Sequence, residues 1–280
     1  MKFIYSEWDA FCKALADNGL KSVTAASILR SAKEGTLSKV RFINLKHDVE
    51  SSPSKALDLA RIEHKYGHCA TYYVQTYLMT DENNNLFAQI QNMGHEVTYH
   101  HDVIDGGNGD MNKAIEIYRE NLKKFEDLGF HVVTVCQHGN SVSDFDNRDF
   151  FKEERVQELF PDQADMMVNF MKQIGRKYVY ISDVSMGFKI VNDPLNEVIL
   201  TEVGKYQDIG DIQKVVSLIL ANSESSYVIS AHPHRYSESV FKAVARKTVF
   251  ICIKKVAKLL FKIPNVKKFL FRFNSITKHL

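Results

Sequence analysis

Four short apolar runs of the sequence each end in side chains that bind metals or transfer protons. The endings are His-Asp-Val-Glu at 47–50, Tyr-His-His-Asp at 99–102, Gln-His-Gly-Asn at 137–140 and Ala-His-Pro-His-Arg at 231–235. If these runs are parallel strands, their carboxyl ends meet at one mouth, so residues far apart in the sequence can share one site. A metal-assisted hydrolase is therefore the first hypothesis.

The spacing within two of these endings predicts which side chains act together. Side chains alternate along a strand, so Asp48 and Glu50 project to one face and His100 and Asp102 share a face in the same way. One carboxylate can ligate a cation and the other can accept a proton from water. A mixed nitrogen and oxygen set suits Zn²⁺ best, with Mn²⁺ or Co²⁺ as alternatives. Such an ion polarises an acyl carbonyl and lowers the pKa of bound water.

Strand and helix patterns alternate along the chain, which predicts parallel βα units. The strand candidates are rich in β-branched and aromatic residues and cover 40–46, 69–75, 95–100, 131–136, 178–182, 197–202 and 226–231. The helix candidates show apolar spacing of three and four residues or terminal signals, and they cover 53–67, 81–93, 110–128, a stretch from about 161, and 211–220.

The motifs Lys46-His47-Asp48-Val49-Glu50, Gly94 to His100 (GHEVTYH), His138-Gly139-Asn140 and His232-Pro233 resemble, in this order, those of the polysaccharide deacetylase family. This is carbohydrate esterase family 4, also described as NodB-homology domains. The resemblance runs from about 40 to 235 and is strongest to a divergent branch with an Arg-His-Asp-Val-Asp type first motif and a His-Gly-Asn element. It implies a deformed (β/α) barrel and divalent-metal-dependent removal of acetyl groups from N-acetylated or O-acetylated glycans.

The resemblance also implies roles for individual residues. Asp48 corresponds to the general base, Glu50 to the metal carboxylate, His100 to the first metal histidine and His232 to the catalytic acid. Glu50 departs from the pattern because the family usually has Asp there.

A second departure concerns the remaining metal ligand. The family's second histidine falls four residues after the first, where this chain has Ile104. Either Asp102 or His138 is then expected to replace it as the third ligand, and the sequence leaves this choice open.

Further polar residues near the strand ends are candidates for substrate binding or for supporting the residues that act directly. Asp183 is a candidate for orienting a catalytic histidine, although a loop cap explains it equally well. The full set is His101, Asn140, Asp183 and Arg235. Four tyrosines could stack on a sugar or simply pack in the core: Tyr72, Tyr99, Tyr178 and Tyr180.

Length and composition set the limits. A chain of 280 residues with 45% hydrophobic residues can bury one large core, and we assign 1–238 to a single barrel domain. The first 20 residues lack the apolar run of a signal peptide. The four cysteines include no Cys-x-x-Cys pair, so reduced thiols and a cytoplasmic location are expected.

The C-terminal segment 239–280 differs in charge from the rest of the chain. After Glu238 there are eleven basic residues and no acidic one, which leaves 25 basic against 34 acidic residues in the body. The periodicity predicts a basic amphipathic helix, which suits an anionic membrane surface, here the inner face of the cell membrane. A helix packed on the barrel is the simpler alternative, and nucleic-acid binding is less favoured because no nucleic-acid motif is present.

The sequence thus predicts a metal-dependent carbohydrate deacetylase, a hydrolase of carbon–nitrogen bonds other than peptide bonds, acting on an acetylated glycan or sugar-linked precursor. One alternative is a glycan-binding relative without catalysis, which the missing histidine at Ile104 motivates. Another is a metal-dependent phosphoesterase.

Overall fold

A computed structural model describes residues 3–37, 41–140, 143–191, 206–245, 248–249 and 252. The strands are β1 (Ile43–Val49), β2 (Ala70–Val74), β3 (Glu96–His101), β4 (Thr134–Gln137), β5 (Ala164–Asp165), β6 (Val179–Ser182), β7 (Phe188–Val191), β8 (Tyr206–Gly210) and β9 (Tyr227–Ala231). The helices are α1 (Tyr5–Asp17), α2 (Ala25–Lys33), α3 (Pro53–Lys65), α4 (Asp81–Asn92), α5 (Val103–Gly106), α6 (Met111–Asp127), α7 (Asp149–Lys152), α8 (Glu154–Leu159), α9 (Phe170–Ile174) and α10 (Ile212–Ala221).

The nine strands of the described chain form one sheet in the order β5-β4-β3-β2-β1-β9-β6-β7-β8. Pairing is parallel from β5 through β6, and only β7 and β8 are added antiparallel. This confirms the predicted α/β architecture of parallel strands with intervening helices. Within the described residues, the edge strands β5 and β8 do not pair with each other. The expected deformed barrel is therefore open between these two strands.

Burial of both sheet faces explains why the central strand does not show simple apolar alternation. All seven residues of β1 are buried, because helices cover one face and the site-forming residues fill the other. The polar members of β1 therefore need buried partners. Their contacts build both the candidate site and the network behind it.

The helix termini follow local signals that the sequence contains. Asp110 accepts hydrogen bonds from the backbone N–H groups of Asn112 and Lys113, which caps the first turn of α6. Pro53 occupies the first turn of α3, where its missing N–H costs nothing. These predicted helices begin and end within two residues of the structure.

Some predictions of elements were wrong or fall outside the described residues. The helix expected from about 161 is instead a turn, the short strand β5 and then α9, because Ala164 and Asp165 extend the sheet beyond β4. The helices α1, α2, α5, α7 and α8 and the antiparallel strands β7 and β8 were not predicted. The strand expected at 197–202 and most of the 239–280 segment lie outside the described residues.

Candidate active site

The parallel strands bring the ends of four chain segments to one edge of the sheet. Asp48 and Glu50 lie at the carboxyl end of β1, His100 at that of β3 and His138 just after β4. His232 directly follows β9, which pairs in parallel with β1. The convergence expected from the strand endings is therefore present.

Glu50, His100 and His138 form a set of donor atoms that fits a cation. Glu50 Oε1 lies 3.3 Å from His138 Nε2 and 3.9 Å from His100 Nε2, and all the donor atoms lie within 4.8 Å of one another. Donors about 2.1 Å from a tetrahedral Zn²⁺ are separated by roughly 3.4 Å, so the side chains need only small adjustments to bind one. Burial raises the pKa of Glu50, but its hydrogen bonds with His100 and His138 outweigh this and hold that pKa well below the ordinary value.

Hydrogen bonds orient the ring of His100 and fix the main chain at His138. His100 Nδ1 lies 2.9 Å from the Cys136 carbonyl oxygen, so a proton on Nδ1 leaves Nε2 as the free lone pair toward Glu50. Burial lowers the pKa of His100 more than the nearby carboxylates raise it, which favours the neutral imidazole that ligates metals. His138 is held by its backbone N–H, which donates to the His101 carbonyl at 2.7 Å, and by Asn147, which donates to the His138 carbonyl at 3.0 Å.

A second group of possible ligands, Asp48, His100 and Cys136, overlaps the first. Its Asp48 carboxylate already accepts two hydrogen bonds from the buried ammonium group of Lys46. A cation there would have to displace or repel that charge. The set containing Glu50 is therefore the better cation site.

Asp102, the other candidate for the third ligand, is in neither group of donor atoms found in the described part of the chain. The prediction assumed that strand alternation continues past His100. β3 instead ends at His101, and the backbone at Asp102 (φ −135°, ψ 40°) leaves the strand to begin α5. Strand alternation therefore does not determine where the Asp102 side chain points.

The geometry predicts that His138 matters for metal affinity and Asp102 does not. We expect His138→Ala to weaken Zn²⁺ binding by at least about tenfold, since even residues that only support ligands contribute 10- to 100-fold. Asp102→Ala should bind Zn²⁺ like the unmodified protein. Competition with a fluorescent chelator measures both affinities, and equal losses in the two variants would contradict the assignment.

Lys46 is a site residue that the prediction missed. It is 1% exposed, lies 2.5 Å and 2.7 Å from the two carboxylate oxygens of Asp48, and approaches the rings of Tyr73 and Tyr180. Burial raises the pKa of Asp48. The charges of Lys46, His100 and His232 lower that pKa by more than burial raises it, so its net shift is downward. The signal was available, because alternation places residues 46 and 48 on one face of β1.

His232 is held toward the carboxylates by Asp183. Its Nδ1 lies 2.7 Å from Asp183 Oδ1 and its backbone N–H donates to Asp183 Oδ2 at 3.0 Å. Its Nε2 lies 3.9 Å from Asp48 Oδ2 and 3.8 Å from Glu50 Oε1. Arg235 completes the arrangement, with Nη1 2.7 Å from Asp183 Oδ1.

These contacts set the charge states of Asp183 and His232. Burial raises the pKa of Asp183, but Arg235 and His232 outweigh burial and hold it far below its ordinary value. Burial and Arg235 lower the pKa of His232, whereas Asp183 and Glu50 raise it, and the net direction is upward from 6.5. Asp183 is thus an ionised orienting partner of His232, and Arg235 contacts Asp183.

Two other predicted residues lie outside the donor set. His101 projects away from His100 into an aromatic cluster and pairs with Asp165 at 2.9 Å, so its side chain does not reach the site. Asn140 donates to Asp105 Oδ2 at 3.0 Å in the loop after β4. Asp105 also accepts from Asn147 and Ser143, and this group of side chains fixes the loop that presents His138.

The tyrosines considered for sugar stacking are not available for it. Tyr72, Tyr99, Tyr178 and Tyr180 are all buried in the core. Tyr77 is instead 45% exposed, and its hydroxyl donates to the Glu50 carbonyl. Its sequence context, a polar stretch after β2, gave no signal for this position.

Comparison with known proteins returns solved structures but no other match. No protein-family model matches the chain, and no curated protein matches it. The similar structures include a carbohydrate esterase family 4 pseudoenzyme from Bacillus anthracis, with 14% identity over 78% of this chain and 62% of that one and a TM-score of 0.41. A Streptococcus mutans esterase of this family has 12% identity over 84% and 89% of the two chains and a TM-score of 0.44.

A family 4 carbohydrate esterase from Streptomyces lividans, solved with acetate, has 11% identity over 76% of this chain and 89% of its own, with a TM-score of 0.41. All three are carbohydrate esterase family 4 proteins. This is the family that the motifs resemble. The chain spans less than two thirds of the Bacillus anthracis protein. Identities and TM-scores of this size do not identify an activity, so the function has to follow from the residues of the site.

Proposed function

We propose that this protein is a metal-dependent hydrolase that removes an acetyl group from an N-acetylated or O-acetylated sugar. The observation that carries the proposal is the joint placement of Glu50, His100 and His138 around one point, with Asp48 and His232 beside them. Such a set combines cation ligands, a base and an acid, which are the groups that acyl hydrolysis needs.

Glu50, His100 and His138 would hold the divalent ion, for which Zn²⁺ is our proposal. When bound there, the ion would polarise the acyl carbonyl and activate a water molecule. The Cys136 carbonyl orients the His100 ring, and Asn147 fixes the backbone that carries His138, before the ion arrives.

Asp48 and His232 divide the proton transfers. Asp48, ionised by its contact with Lys46, takes a proton from the attacking water. His232, protonated and held by Asp183, gives a proton to the departing amine or alkoxide. Asp48 Oδ2 and His232 Nε2 lie 3.9 Å apart, so one acyl group bound beside them can contact both side chains.

The Asp183 contact predicts a shift in the pH profile. His232 acts as an acid only while protonated, so activity falls as pH rises through its pKa. Asp183→Asn removes a charge that raises this pKa, and we expect the alkaline limb of the kcat/KM profile to move to lower pH. Activity at neutral pH should fall at least about tenfold, because acid catalysis contributes 10²–10⁴-fold.

The same profile measured on Asp102→Asn provides the control, because this change also removes one carboxylate near the strand ends. Its alkaline limb should stay in place. A limb that does not move in Asp183→Asn would show that His232 is not the acid.

The direct test of the proposal combines metal content with acetate release. Protein purified without chelator should contain about one metal ion per chain and release acetate from a panel of N-acetylated and O-acetylated sugars. Bound metal with sugar binding but no acetate would favour the glycan-binding alternative, and release of phosphate from phosphate esters would favour a phosphoesterase.

We further propose that the substrate is a nucleotide-linked or lipid-linked sugar precursor of a surface polysaccharide, encountered in the cytoplasm. A panel that includes free, nucleotide-linked and lipid-linked N-acetylated sugars separates these possibilities by relative kcat/KM.

A further inference from the structure

Beyond the site, a short helical stretch late in the described chain has an exposed apolar face. Residues 240–245 are helical, and Val240, Phe241 and Val244 lie 41%, 82% and 49% exposed on it. Ala243 is buried and faces the opposite way. Val244 lies three residues after Phe241 and four after Val240, and these spacings place the exposed side chains on one side of the helix. We call these three residues the exit face.

The exit face is held in place by the fold that precedes it. Tyr236 is buried among the rings of Phe3, Tyr5 and Trp8, and Ser237 exchanges backbone hydrogen bonds with Phe3 and Tyr5. Val240 is five positions after Arg235, so the exit face begins within about 18 Å of that residue. Apolar side chains that lie together on an exposed face held in a fixed position are typical of an interaction site.

The composition of the sequence from Lys242 onward indicates what the exit face interacts with. From Lys242 onward the chain has nine lysines, two arginines and no acidic residue. Six of its 18 phenylalanines also lie after Glu238. Lysines act as point charges that need no fixed geometry, and phenylalanines gain by leaving water. A surface that offers many phosphates beside an apolar layer satisfies both groups at once.

The charge of residues 1–238 supports contact with such a surface through the C-terminal segment alone. Up to Glu238 the chain has 25 basic and 34 acidic residues, so an anionic surface repels the body and attracts only the C-terminal segment. Nucleic acid would satisfy the lysines but not the apolar exit face.

We propose that the exit face and the basic segment from Lys242 to Lys278 dock this protein on a membrane surface that carries anionic phospholipids. Among the described residues, no helix is both long and apolar enough to cross a bilayer. Docking in the lipid headgroup region requires no such helix.

The test is co-sedimentation of the full chain with vesicles of phosphatidylcholine alone or mixed with phosphatidylglycerol. We expect binding only to the anionic vesicles and weaker binding as salt rises. Replacing Lys254, Lys255, Lys258 and Lys262 by Gln should weaken it at least about tenfold, since each nearby lysine contributes about fivefold. The matched control replaces four exposed lysines of the body by Gln and should leave binding unchanged: Lys33, Lys113, Lys172 and Lys214.

A second pair of variants tests the apolar part. Phe241→Ser with Val244→Ser should weaken vesicle binding about tenfold or more, whereas Leu159→Ser with Leu220→Ser, which changes two exposed apolar residues elsewhere, should not. Circular dichroism verifies that each variant is folded.

Three outcomes would overturn the proposal. One is failure to bind anionic vesicles at low salt. Another is binding that Phe241 and Val244 do not affect, which would be nonspecific charge attraction. The third is tighter binding to a short DNA duplex than to vesicles. None of these measurements depends on hydrolytic activity, so they leave the proposed function to its own test.

Discussion

Asp48→Asn is expected to lower kcat/KM for the acetylated substrate by about 10²–10⁴-fold, the contribution of a positioned base. The asparagine amide keeps the shape of the side chain but cannot take a proton from water. Metal affinity should change little, because Glu50, His100 and His138 remain together. Steady-state acetate release and chelator competition measure the two effects separately.

The variant has a second consequence that has to be separated from catalysis. Lys46 is buried and contacts both oxygens of Asp48, so Asp48→Asn leaves a buried ammonium group without its charge partner. Breaking such a pair by removing one partner typically costs about 3–5 kcal/mol of stability.

The double variant Lys46→Met/Asp48→Asn distinguishes a loss of catalysis from a loss of folding. It removes the unpaired charge, and replacing both members of a buried pair is often neutral for stability. We expect its free energy of unfolding to recover toward that of the unmodified protein while activity stays low. Recovered activity in the double variant would show that Asp48 is not the base.

The place where the candidate residues meet was easier to predict from the sequence than the set of residues that could hold a cation. Strand endings at Asp48, His100 and His232 were sufficient, because parallel strands place their carboxyl ends together whatever the details of the helices. The choice between Asp102 and His138 could not be made in this way. It depends on where β3 ends, and one residue of difference changes the face on which a side chain lies.

Local sequence patterns also could not predict contacts between distant segments. Lys46 pairs within its own strand and could have been found from alternation. The hydrogen bonds that fix the main chain at His138 come instead from Asn147 and His101 on separate elements. Strands β7 and β8 were missed because their antiparallel pairing breaks the βα pattern used to predict the rest. Such features are decided by tertiary packing rather than by local propensity.

His47 lies on the face of β1 opposite the site. Its contacts predict a large effect of Glu63 substitutions on the free energy of unfolding. Glu63 of α3 is fully buried and accepts hydrogen bonds from Trp8 Nε1 at 3.0 Å and the Tyr72 hydroxyl at 2.7 Å. His47 Nε2 lies 2.6 Å from the same carboxylate, and His47 Nδ1 lies 3.2 Å from the Ala231 carbonyl. This network joins α1, α3, β1, β2 and β9 directly behind Asp48 and His232.

Glu63→Ala is expected to lower the free energy of unfolding by at least about 3 kcal/mol, because three buried donors lose their acceptor and a buried donor without an acceptor costs about 1–3 kcal/mol. Glu63→Gln should lose less, since its carbonyl oxygen can still accept from Trp8 and His47. Glu120→Ala, at an exposed helix position, is the control and should stay within about 0.5 kcal/mol. Urea unfolding followed by circular dichroism and by the fluorescence of Trp8, the one tryptophan of the chain, measures all three. If Glu63→Ala is no less stable than Glu120→Ala, the network does not hold these elements together, and the alignment of Asp48 with His232 must depend on the sheet alone.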